Sequence, residues 1–179
     1  MLLRKIVRAA EVRPMDPSAV RKLGARPGLM YLEYEKTKPL SLSQLLPKKI
    51  SGCLILILDH RKNSNVGHFI MLMRHPKSGI TFFDPYGYGI HRLLKMTQNE
   101  MHLEGKLRGL RFFHDNKVAF QQRADDVETC GRHVITRWNA AGLNAKQYKQ
   151  MMVLPGMSPD EIVTMLTLGA DLAKASDRI

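Results

Sequence analysis

The run Gly52-Cys53-Leu54-Ile55-Leu56-Ile57-Leu58 carries no charged side chain and ends against the polar stretch Asp59 to Asn65. An uninterrupted apolar segment of this length reads as a fully buried strand rather than a half-exposed one, so the chain is committed to a sheet with other elements packed over it. Its partners follow directly. A second strand is predicted over His68 to Arg74, a turn over Pro76-Lys77-Ser78-Gly79, and a third strand over Ile80 to Asp84. Antiparallel strands joined by so short a turn bring His68, near the start of one, beside Asp84, near the end of the other.

Around this centre the pattern alternates between strand and helix. Leu29 to Tyr34 tends to strand, Ser43-Gln44-Leu45-Leu46 is at most one helical turn before Pro47, and Val118 to Gln121 reads as a further strand. Ile90, Leu93, Leu94 and Thr97 share one face of a predicted helix, as do Cys130, Val134, Trp138 and Ala141, with Gly142 closing the latter. A helix over Asn144 to Val153 follows. Ser158-Pro159-Asp160-Glu161 then offers a capping box, with proline at the first helical position, for a last helix to about Ala175. Near the N-terminus, Asp16-Pro17-Ser18 is fit to start a short helix through Leu23 that Gly24 would end. The expected class is α+β, a mixed central sheet flanked by helices.

At 179 residues and 44% hydrophobic content, the chain is long enough for one substantial core and short for two. One domain over 1–179 is expected: a basic, peripheral N-terminal arm or helix over 1–30, a core over 50–140, and C-terminal helices over 144–179. No apolar run approaches the ~20 residues of a membrane span, and Arg4-Lys5 interrupts Met1-Leu2-Leu3 before a signal-peptide core. The expectation is a protein that stays inside the cell, is not secreted and has no membrane partner. Cys53 and Cys130 make no disulfide framework and no zinc-site spacing, so no metal is expected. Cys53, inside the buried run, reads as a small apolar side chain. His60, His75, His91, His102, His114 and His133 have no spaced partners suggesting a metal, and His133, one turn past Cys130, reads as a surface or helix-packing residue.

The net charge is +12, with eleven Lys or Arg against four acids in residues 1–50 and seven against three in residues 91–123. Such an excess attracts polyanions, which makes DNA a candidate partner, with Arg4, Lys5 and Arg8 as the candidate contacts. A solvated basic surface accounts for the same charge, and no nucleic-acid-binding motif accompanies it.

The chemistry-bearing residues lie in three short segments: Val66-Gly67-His68-Phe69, Phe82-Phe83-Asp84-Pro85-Tyr86-Gly87 and Glu128-Thr129-Cys130-Gly131-Arg132. A cysteine at a helix start, with a histidine within reach, has the two usual sources of thiolate stabilisation. Asp125, Asp126 and Glu128 work against the anion unless they face solvent or substrate, or serve to cap the helix. Taken singly, His68 would be a strand-edge histidine, Asp84 a turn residue before proline and Cys130 a buried thiol. In the order His, Asp, Cys they meet the needs of a thiol protease.

These motifs resemble the family of cysteine proteases that contains adenain, the adenovirus maturation protease, and the SUMO-specific proteases. They look most like the versions carried by large DNA viruses, virophages and polinton-like elements. The resemblance covers roughly residues 50 to 140 and implies an adenain-like fold with the nucleophile at a helix N-terminus. It implies His68 as general base, Asp84 as its orienting partner, Cys130 as nucleophile and a preceding glutamine as oxyanion donor beside the Cys130 N–H. Gln121, at the end of the expected strand, is the first choice and Gln122 the second, the loop to Cys130 being longer here than in those families. Phe69, Tyr86 and Gly131 are the candidate substrate-binding residues.

By the same resemblance the protein is a monomeric viral endopeptidase acting in the virion and the host cell interior. It cleaves capsid or core precursor polypeptides at glycine-containing sites during maturation, with no cofactor but with DNA or a viral peptide as candidate activator. The alternatives are an isopeptidase for ubiquitin-like modifiers and an inactive virion DNA-binding protein on the same scaffold.

Overall fold

The computed structural model describes residues 2–24, 27–62, 67–77, 79–123 and 127–176. The chain runs α1 (Leu2–Glu11), α2 (Pro17–Leu23), β1 (Leu29–Glu33), α3 (Leu42–Leu45), β2 (Ser51–Leu58), β3 (Gly67–His75), β4 (Gly79–Phe83), α4 (Ile90–Met96), α5 (His102–Leu107), β5 (Phe113–Asp115), α6 (Cys130–Asn139), α7 (Ala145–Met151) and α8 (Pro159–Ser176), with short 3-10 turns at Tyr34–Thr37 and His60–Lys62. The architecture is α+β, as the alternation of patterns implied.

Five strands form one mixed sheet in chain order. β1 pairs parallel with β2, β2 antiparallel with β3, β3 antiparallel with β4, and β4 parallel with β5. The sheet separates two apolar layers. On one side Leu54, Phe69, Met71, Met73 and Phe83 pack under α2, α6, α7 and α8, and on the other Cys53, Ile55, Ile57, Ile70, Leu72 and Phe82 pack under α4 and α5. Successive residues of β2 and β3 alternate between these layers, as the period of two requires, so the apolar run at Cys53 is buried on both faces. Each fully buried large side chain of this kind contributes about 1.5–3 kcal/mol.

The helix ends follow their local chemistry. Asp16 caps α2 through bonds from the Ser18 and Ala19 amides. Ser41 and Asn144 form capping boxes with Gln44 and Gln147, and Ser158 exchanges bonds with Glu161 at the start of α8.

Two expectations are corrected. The strand expected over Val118 to Gln121 does not form. The fifth strand lies earlier, at Phe113–Asp115, where Ile80, Thr81 and Phe82 offer it a parallel edge, while the amides of Phe120 and Gln121 both donate to the Pro85 carbonyl instead of to a ladder. The N-terminal region, expected as a peripheral arm or helix, forms two helices but is not peripheral. Val7, Met15, Val20 and Leu23 are buried, and Met15, Val20 and Leu23 share a core with Cys130, Val134 and Ile135. A positive surface charge concealed that role, because the apolar residues inside the basic segment are few and spaced across two short helices.

No helix among the described residues is long and apolar enough to cross a membrane, and no group of three or more metal-ligating side chains comes together among them.

Candidate active site

Asp84 follows the last residue of β4 and its side chain is fully buried. A buried carboxylate must have its lone pairs satisfied, and here three donors converge. His68 Nε2 lies 2.8 Å from Oδ1, the Tyr86 amide donates to Oδ1 at 3.0 Å, and the Tyr88 amide donates to Oδ2 at 2.9 Å. The turn Pro85-Tyr86-Gly87 thus folds back on the carboxylate and fixes its orientation. The backbone of Asp84 is held separately by Asn116, whose Oδ1 accepts the Asp84 amide at 2.6 Å and whose Nδ2 donates to the Asp84 carbonyl at 2.8 Å. Nothing in the sequence around Asn116 marked it, since its partner is thirty-two residues away.

His68, the second residue of β3, is 14% exposed and stacks on Tyr86 with ring centroids 4.9 Å apart and planes 25° from parallel. Burial disfavours its charged form, but hydrogen bonds to Asp84 and to Cys130 outweigh burial and raise its pKa to about 10. Because Nε2 is taken by Asp84, the other ring nitrogen is the one available to the thiol. The imidazole therefore stands between a fixed carboxylate and Cys130, at the N-terminus of α6. Cys130 is 7% exposed and anchored through the core that holds Val134 and Trp138. The first turn of α6 supplies amides without intrahelical partners next to the thiol.

The segment ahead of Cys130 is pinned from two sides. The Glu128 amide donates to the Glu11 carbonyl at the end of α1 at 2.8 Å. The Thr129 hydroxyl donates to Asp160 Oδ1, which also meets His133 Nε2 at 3.0 Å, and the Gln122 amide donates to Asp160 Oδ2 at 2.9 Å. Asp160 and His133 are almost completely buried, and burial holds the His133 pKa below its ordinary value, with the nearby His68 charge adding to the effect. His133 is therefore not a surface residue but the partner of a buried carboxylate that organises the start of α6. Asp125 and Asp126 lie outside the described residues. Glu128 lines the cleft beside Cys130 rather than capping its helix.

The two glutamines differ. Gln121 is 2% exposed, and its amide nitrogen donates to the Val127 carbonyl at 2.9 Å, while its side-chain oxygen has no partner among the described residues. Gln122 is exposed and contributes only its backbone to Asp160. Of the two, Gln121 is the side chain tied to the segment leading into Cys130.

A cleft of about 480 Å³ opens onto His68 and Cys130 and is lined further by Tyr86, Tyr88, Arg123 and Glu128. Larger concavities lie elsewhere on the surface, but neither cysteine lines them. Of the three residues expected to bind substrate, only Tyr86 lines the cleft. Phe69 is 5% exposed and packs in the core beneath α6. Gly131 faces Val20 and Met15, which a Cβ there would meet at 3.1 and 3.2 Å. Both serve packing, because the strand alternation and the helix turn direct them into the sheet–helix interface. Among the basic residues of α1, Arg4 donates to the Gly156 carbonyl at 2.5 Å and lies 3.7 Å from Glu161, whereas Lys5 and Arg8 are exposed.

Comparison with known proteins adds a viral relative. No protein-family model matches the chain. Over 131 residues it is 30% identical to the uncharacterized protein V9 of Sputnik virophage, an alignment that spans 65% of this chain and 74% of that protein. Matching so much of V9 at this level of identity, the chain belongs to the family of that virophage protein.

Proposed function

We propose that the protein is a cysteine endopeptidase that cuts viral precursor polypeptides through a thioester acyl-enzyme. The observation that carries this reading is the position of His68, hydrogen-bonded to a fully buried Asp84 and lining one open cleft together with Cys130. With the proton already held by His68, the Cys130 sulfur adds to the scissile carbonyl carbon. The C–N bond then breaks, and His68 returns the proton to the leaving amine. Water adds to the thioester carbon, gives a proton to His68, and the C–S bond breaks to release the acid and restore the thiol. Asp84 keeps the ring in one tautomer and offsets its positive charge. The free amides at the start of α6, with the Gln121 amide beside the entering segment, are the candidate donors to the oxyanion.

Membership in a virophage protein family favours virion precursors as substrates, with cleavage at small, glycine-containing sites as the preference to test first. Activation by DNA or a viral peptide belongs to the same proposal.

The test is intact mass after exposure to iodoacetamide and, separately, to a glycine-ended peptide vinyl sulfone, for wild type, Cys130→Ala and His68→Ala, with and without added DNA. One adduct on Cys130 that forms quickly and depends on His68 is the expected result. Cys53 is the internal control, since burial pushes its thiol up to about 12. If Cys130 labels no faster than an ordinary exposed thiol under every condition, the protease reading is wrong.

A further inference from the structure

Tyr86, stacked on His68, is followed along the cleft by Tyr88, whose ring centroid is 5.7 Å from that of Tyr86. Two guanidinium groups flank this second ring. Arg123 has its central carbon 4.3 Å from the Tyr88 centroid and donates one N–H to the Tyr86 carbonyl at 3.2 Å, and Arg92 lies 5.1 Å from the same centroid. Neither guanidinium has a carboxylate partner among the described residues, and Arg123 has one hydrogen bond against the five N–H donors a guanidinium carries. Arg123 lines the cleft and Arg92 does not, and the other arginine of the cleft is different. Arg61 is taken by Asp59 through two bonds of 2.9 and 2.6 Å and offers no comparable unpaired charge. Glu128 also lines the cleft, two residues before Cys130.

From this arrangement we infer that the cleft selects polypeptides bearing an acidic side chain near the scissile bond, bound by Arg123 at the Tyr88 end, with Arg92 adding positive charge at the same ring. The inference rests on the protease reading and names the substrate class for the same site. Stacking on Tyr88 fixes the plane of Arg123 while leaving its edge free, which is the geometry a planar carboxylate meets with two parallel bonds. The two steps along the aromatic shelf correspond to about three residues of extended chain at ~3.3 Å each. The acid therefore falls two or three positions from the cleaved bond. Glu128, beside the nucleophile, disfavours an acid at the cleaved bond itself.

The experiment is the cleavage profile of a denatured-proteome peptide library by wild type, Arg123→Glu and Arg92→Glu, followed by kcat/KM on paired peptides that differ only by Glu or Gln at the enriched position. Wild type is expected to enrich Asp and Glu at one position two or three residues from the cut, with about a ten-fold preference for Glu over Gln. Arg123→Glu should lose that preference and favour Lys or Arg there. Cleavage without acid enrichment, or a preference unchanged in Arg123→Glu, overturns the inference and leaves the protease reading intact. If no peptide is cut, the ratio of Cys130 labelling rates with anionic iodoacetate and neutral iodoacetamide decides. A ratio that falls in Arg123→Glu supports an anion-attracting cleft, and an unchanged ratio overturns it. A Cys130 unreactive to both reagents overturns the protease reading and the inference together.

Discussion

Two buried histidine–aspartate pairs flank the start of α6, and they are built in opposite senses. His68 and Asp84 stand at the cleft, 2.8 Å apart, with the imidazole slightly exposed and its charged form favoured by the carboxylate and the thiol. His133 and Asp160 stand inside the core, 3.0 Å apart, where burial disfavours the charged form and the pair shares its carboxylate with Thr129 and the Gln122 amide. Residue types and separation are nearly the same. What differs is the company of the carboxylate. Asp84 accepts backbone amides from its own turn and is left with one side chain to orient, whereas Asp160 ties α8 to Gln122 and to the start of α6, about thirty residues away. The same pair of side chains thus faces an open cleft in one place and holds a helix start in the other.

Removing each carboxylate separates the two roles most strongly. Asp84→Asn should lower kcat by about 10³ to 10⁴ with the fold retained, measured on any cleaved peptide or as the rate of Cys130 labelling. Asp160→Ala should do the reverse. It leaves Thr129, His133 and the Gln122 amide without their shared acceptor, costing about 3–5 kcal/mol of stability, or on the order of 10 °C in Tm, read by thermal and urea unfolding. If Asp160→Ala unfolds no more easily than wild type, the structural assignment of that pair is wrong. Asn116→Ala should lie between them, losing about 1–3 kcal/mol and slowing Cys130 labelling through the loosened Asp84 backbone. A variant that loses stability but labels at the wild-type rate would show that Asn116 supports the fold and not the orientation of Asp84.

The smallest effect is the most specific to the comparison. Because the His68 pKa is raised from 6.5 to about 10, its contribution to stability is full below about pH 6.5 and is lost as pH rises through about 10. The His133 pKa is lowered, so the unfolded chain takes up a proton that the folded one refuses, and stability falls as pH drops below about 6.5. Urea unfolding across pH 5 to 10 should therefore show the alkaline slope weakened in His68→Gln and the acid slope weakened in His133→Gln. Slopes that change together in either variant would mean that the two pairs titrate as one unit.

Much of this was legible before the structure. The hairpin of β3 and β4 followed from alternation and a short turn, and with it the meeting of His68 and Asp84. Helix α6 followed from Cys130, Val134 and Trp138, and the caps of α2 and α8 from a few side chains each. What escaped were features whose partners lie far along the chain. Asn116 and Asp160 look like ordinary polar residues until segments about thirty residues apart are brought together. Strand β5 was misplaced by a few residues because Phe113–Asp115 has no alternation of its own and extends only because β4 offers an edge. Phe69 and Gly131 were expected in the cleft because they adjoin His68 and Cys130, yet neighbours in a strand point to opposite faces.

By itself the sequence determined the elements and the reactive residue types, since helix and strand periods, turn residues and caps act over a few positions. Which side chains meet at the start of α6, which of two histidines faces the cleft, and which arginine there is left without a carboxylate partner among the described residues were decided by the tertiary structure. Burial and the sharing of a carboxylate depend on what packs against a residue, and that is set only when distant segments close around it.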